Sequence, residues 1–125
     1  MTSERFEQIA QEVMERLPAQ FSERIDNVRI VIEEYPSEET LHQMHASKTT
    51  LLGLYQGIPL PHRNTWYGTS PTMPDTIFLY RRNIESLCRT EEDVVAKIYE
   101  VLLHEIGHYF GMTETEIRHA MRNYQ

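Results

Sequence analysis

Residues 90–116 read TEEDVVAKIYEVLLHEIGHYFGMTETE, and this stretch decides the fold. Val94, Val95, Ile98, Leu102, Ile106 and Tyr109 recur at helical spacing. Ahead of them Thr90 is a capping residue, and Glu91, Glu92 and Asp93 place acids in the first turn, where they complement the helix dipole. The pattern predicts one long helix running to Gly111, a residue able to take the left-handed conformation that ends helices. On that helix His104 and His108 lie one turn apart on one face, so two imidazole nitrogens can converge on one ion about 2 Å from each. Glu105 projects roughly 100° around the axis, close enough to reach water at the ion without ligating it.

The HExxH spacing alone is weak evidence. With six His in 125 residues, chance alone produces a match in roughly 3% to 4% of shuffled chains. Here the pattern continues: Gly111 follows His108 by three residues and Glu114 follows Gly111 by three. Requiring both reduces chance to roughly a few in ten thousand. The expected ion is therefore Zn2+, which in a catalytic site takes three protein ligands and keeps a fourth position open. A left-handed Gly111 would turn the chain so that Glu114 comes back toward the two histidines, making it the candidate third ligand. The alternative leaves Glu114 as a first-turn acid of the next helix, with Glu116 or an upstream His as ligand. His42 and His45, at i and i+3, could share a metal but also suit a polar helix face. His62 and His119 are isolated.

Outward from this segment the chain reads as a mixture of helices and strands. Phe6, Ile9, Ala10, Val13, Met14 and Leu17 predict a first helix behind Thr2 or Ser3, closed by Pro18. Val28, Ile30 and Ile32 alternate as a strand ended by Tyr35-Pro36, and Glu38 to Ala46 suggests a short helix. Leu51 to Tyr55 and Thr76 to Arg81 read as two more strands. Between them the stretch from Gln56 to Asp75 is rich in Gly, Pro and aromatics, and a loop of that length is usually functional. Thr113 with Glu116 forms a second capping-box pattern, opening a last helix through Ile117 and Met121.

The length suits one domain, residues 1–125, that needs neither metal nor disulfide merely to hold its fold. No apolar run approaches the ~18 residues of a membrane span. Charged side chains run through the first dozen positions with no export-type apolar core, and Cys88 is the only cysteine, so the expected address is the cytoplasm. Cys88 itself reads as a lone buried thiol. The net charge of −7 argues against nucleic acid as partner. Positive charge is partly gathered between Ser47 and Thr90 (Lys48, Arg63, Arg81, Arg82, Arg89), a pattern equally suited to ordinary solvated surface.

HEIGHYFGMTE matches the extended zincin pattern HExxHxxGxxD/E. With YQGIPLPHR upstream and the Thr76 to Arg82 segment between, the chain resembles the small bacterial zincin-like metallopeptidases, or minimal zincins. The resemblance implies an α+β domain with a small mixed β-sheet, an active-site helix carrying two His ligands, flanking helices, and a carboxylate ligand at Glu114. That last position is often Asp in the family. The His-to-Gly spacing is also similar to that of metzincins, but too little chain follows for their Met-containing turn. The implied activity is zinc-dependent hydrolysis of peptide bonds, with Glu105 as general base. The expected substrate is an extended peptide adding as a strand beside Thr76 to Arg81, which makes Ile77 and Leu79 candidate substrate-binding residues together with Tyr67 and Arg63. Tyr67, Arg63 or Tyr109 could stabilise an oxyanion, and each could equally pack a loop. Two other readings fit the same motif: a zinc-binding module with little peptidase activity, and a zinc-dependent ribonuclease, which Glu105 and the negative charge disfavour. The substrate and the oligomeric state are not encoded in any motif.

Overall fold

The computed structural model describes residues 1–23, 25, 27–57 and 75–124. In chain order its elements are α1 (Ser3–Glu15), α2 (Ala19–Ser22), β1 (Val28–Glu33), α3 (Glu38–Met44), β2 (Gly53–Gln56), β3 (Asp75–Tyr80), α4 (Arg81–Ser86), α5 (Glu91–Tyr109) and α6 (Glu114–Tyr124). The architecture is α+β with a small mixed sheet, as the sequence predicts. The strand order is β1-β3-β2, with β1 parallel and β2 antiparallel to β3.

Register places the apolar side chains in rows. Ile30, Ile77 and Tyr55 are neighbours across the three strands, and Ile32, Leu79 and Gly53 form the next row. This face packs on α1 and α5, which supply Phe6, Ile9, Ala10, Val13, Ile98 and Leu102 to one continuous core. The last turns of α5 are enclosed on nearly every side: Val101, Leu102, Leu103, Glu105, Ile106, Gly107 and Tyr109 are all buried. Among them His104 and His108 are only partly covered, with side chains 34% and 35% exposed. The helix therefore presents two imidazoles from an otherwise sealed cylinder.

Three expectations change. β3 is the central strand, flanked on both sides, not the sheet edge; β2 is the edge strand on the α5 side. Arg81 does not end that strand but opens α4, and its buried guanidinium reaches Glu34 Oε1 at 2.6 Å and Glu85 Oε2 at 2.9 Å. Arg82 Nε also donates to Glu34, at 2.6 Å, so two of the gathered positive charges are neutralised by local carboxylates. Cys88 is only half-buried; its thiol, raised in pKa chiefly by desolvation, contacts Ile84 O at 3.3 Å. No helix among the described residues is long and apolar enough to cross a membrane.

Candidate metal centre

The site is built by consecutive local signals along α5 and α6. Thr90 Oγ1 accepts from Asp93 N at 3.1 Å, and the Asp93 carboxylate accepts from Thr90 N at 3.2 Å, closing the predicted capping box. At the other end Gly111 adopts φ 73°. Gly111 N donates to His108 O at 2.9 Å and Met112 N to Gly107 O at 3.0 Å, the two bonds of a Schellman turn. Thr113 then caps α6: Glu116 N donates to Thr113 Oγ1 at 3.2 Å while Thr113 N donates to Glu116 Oε1 at 3.0 Å. This capping box makes Glu114 the first residue of α6 and turns its side chain back over α5.

Glu114 Oε1 consequently stands 3.3 Å from His104 Nε2 and 3.2 Å from His108 Nε2. Donors about 2.0 to 2.1 Å from a common ion at tetrahedral angles are about 3.3 to 3.4 Å apart, so these separations fit the edges of a zinc tetrahedron. The imidazole rings, with centroids 5.0 Å apart, are inclined at 76° to one another, so both can turn an edge nitrogen to one point. Two imidazoles and one carboxylate are also an established donor set for catalytic zinc. Glu116, the alternative ligand, is committed to the capping box, which holds its carboxyl below the ordinary glutamate range. His42 and His45 belong to α3 and its left-handed cap. The one metal-capable grouping among the described residues consists of His104, Glu105 and His108, whose donor atoms lie within 4.8 Å of one another.

Two carboxylates thus compete for the third position, and their surroundings differ. Glu105 is 8% exposed, and its Oε1 accepts from Tyr55 N on β2 at 2.9 Å. Burial raises its pKa above the usual glutamate value, against the opposing pull of the two imidazoles and the Tyr55 N–H. Glu114 is half-exposed, and one of its oxygens bridges both imidazoles. This division suits a buried proton acceptor beside an outer ligand. Beside His104 and Glu105 opens a cavity of about 250 Å³ walled by Leu51, Leu52, Gly53 and Val101, with Glu100 at its rim.

Gly107, inside the motif, sets the spacing of α5 and α6. A Cβ there would stand 2.5 Å from Ile117 Cγ1 and 2.8 Å from its Cδ1, so any side chain would force a shift at the contact of α5 with α6, the helix that carries Glu114. Gly107→Ala should weaken zinc binding by about tenfold or more, a loss of the order seen when support of a metal ligand is disturbed; titration against a zinc indicator measures it. Pairing Gly107→Ala with Ile117→Ala should recover part of the loss.

Of the substrate-binding candidates, Ile77 and Leu79 are corrected. Both are fully buried core residues on the central strand and have no edge to offer a peptide. Tyr109 is likewise fully buried, edge-on to Tyr55 and Phe110, so it packs the core and does not face an oxyanion. Arg63, Tyr67 and His62 lie outside the described residues. Sequence reasoning missed Gly53 and Tyr55 as neighbours of Glu105. The available signal was a glycine inside a strand pattern, which marks a close backbone approach.

No curated protein matches the chain. The sequence profile of the zincin-like metallopeptidases matches residues 25–123, from just before β1 through almost all of α6, and so spans the sheet and every candidate ligand. The chain belongs to the zincin-like metallopeptidase family.

Proposed function

We propose that this protein is a zinc-dependent peptidase in which His104, His108 and Glu114 hold the ion and Glu105 is the general base. The observation that carries the reading is the single Glu114 oxygen equidistant from both Nε2 atoms, with the buried Glu105 carboxylate beside them. A zinc ion there would supply Lewis acidity toward water and toward a peptide carbonyl. Glu105 accepts the proton of the attacking water and returns it to the departing amine. Its buried setting favours that exchange, because desolvation makes the carboxylate more basic than one in water. His104 and His108 stand one turn apart on α5, which sets the spacing of the two imidazoles before any ion binds.

Substrate pairing shifts from β3, where the sequence suggested it, to β2, the edge strand beside the site. An extended peptide added there lies across Glu105 and the imidazoles, and one side chain can enter the apolar cavity between Leu51 and Val101. The expected substrates are peptides or unstructured protein segments.

Removal of metal tests the reading. Dialysis against a chelator should abolish cleavage of a mixed peptide library, and one equivalent of Zn2+ should restore it. Cleavage that persists in metal-free protein would refute the proposal.

A further inference from the structure

Along β2 the backbone groups alternate in direction. Leu52 O accepts from Tyr80 N at 3.0 Å, so Leu52 and Leu54 face β3, while Gly53 and Tyr55 direct their N–H and C=O groups to the opposite edge. At that edge Tyr55 N–H donates to Glu105 Oε1 at 2.9 Å, joining strand and helix across 50 residues of sequence. Gly53 permits this approach. A Cβ there would stand 2.7 Å from Val101 Cγ1, 3.1 Å from Phe78 O and 3.6 Å from Glu105 Cγ. Tyr55 is also anchored at its far end, where its hydroxyl donates to the buried Asp75 carboxylate at 2.8 Å and its ring meets Tyr109 edge-on at 6.0 Å.

We infer that the Tyr55 backbone N–H is a positioning donor for Glu105, with Gly53 setting the strand-to-helix separation. The role rests on the peptidase reading above; the contact itself does not. A glutamate side chain turns about three bonds, and tying Oε1 to β2 fixes the carboxylate plane and hence the place of its second oxygen beside the imidazoles. The same bond withdraws Tyr55 N–H from the groups this edge offers a peptide. One strand therefore registers the substrate and orients the base that acts on it.

Amide exchange in zinc-loaded, 15N-labelled protein tests the contact without reference to cleavage. Tyr55 N–H should exchange about tenfold or more faster in Glu105→Ala than in wild type, while Leu54, bonded to β3, keeps its rate. Kinetics then test the role. Tyr55→Ala and Tyr55→Pro both lose the ring and the phenol, but only proline loses the N–H, and that group makes no ladder bond to β3. The proline variant should show a kcat about a hundredfold below that of the alanine variant at equal zinc affinity. Gly53→Ala should lower kcat as well, and Gly53→Ala with Val101→Ala should regain part of it by removing the obstructing methyl. Tyr55 exchange indifferent to Glu105, or equal kcat in the alanine and proline variants, would overturn the inference. If wild type cleaves no peptide, the peptidase reading fails, and amide exchange still decides whether β2 positions Glu105.

Discussion

Replacing Glu105 by glutamine should lower kcat for peptide cleavage by about 10²- to 10⁴-fold, the usual contribution of a general base, while bound zinc stays at one equivalent. Glutamine preserves the shape of the side chain and can still accept from Tyr55 N–H through its amide oxygen. What it loses is basicity. Because Glu105 is buried, the neutral amide should also relieve the desolvation that raises the carboxyl pKa, so thermal stability should hold or rise. The sign follows from linkage: a carboxyl whose folded pKa is raised favours folding below its unfolded pKa and loses that contribution as pH climbs through the folded value. Glutamine, with no charged form, carries no such pH-dependent cost. Isothermal titration with Zn2+, thermal melts of the metal-free proteins and steady-state kinetics separate these effects. Weaker zinc binding in Glu105→Gln would instead place Glu105 among the ligands.

The second large effect is expected at the ligands. His108→Ala should lower zinc affinity by about a hundredfold or more, since each donor carries a substantial share of the binding free energy of a zinc site. Glu114→Gln should have an effect of similar direction, because the bridging oxygen loses its charge. Glu116→Gln provides the control. Its carboxylate accepts from Thr113 N in the capping box, so zinc affinity should remain near wild type while the start of α6 frays. If Glu116→Gln abolishes zinc binding and Glu114→Gln does not, the assignment of the third ligand is reversed.

The candidate site was legible in the sequence because its parts are local. His104, Glu105 and His108 share one helix with a capping box at one end and a glycine at the other, and Glu114 follows through a turn whose residues specify it. Helical period, cap and left-handed glycine are short-range effects, and each was realised. The place of β3 was not legible in the same way. Its residues, DTIFLY, are buried on both faces, a composition that fits a central strand, but the neighbours of a strand are set by long-range pairing. Taking Ile77 and Leu79 for substrate contacts followed from that missed order. Helices α2 and α4, of four and six residues, are too short to show a period, and α4 begins directly from a strand without a capping side chain. The contact of Tyr55 with Glu105 crosses 50 residues, and only the glycine at position 53 hinted at it.

The central claim concerns which atoms hold the ion. A crystal structure of the zinc-loaded protein, with diffraction collected on both sides of the zinc absorption edge, tests it most directly. One anomalous peak is expected within about 2.0 to 2.2 Å of His104 Nε2, His108 Nε2 and a Glu114 oxygen, with Glu105 outside ligand distance. A peak ligated by Glu105 or Glu116 in place of Glu114, or no zinc peak between the two histidines, would contradict it.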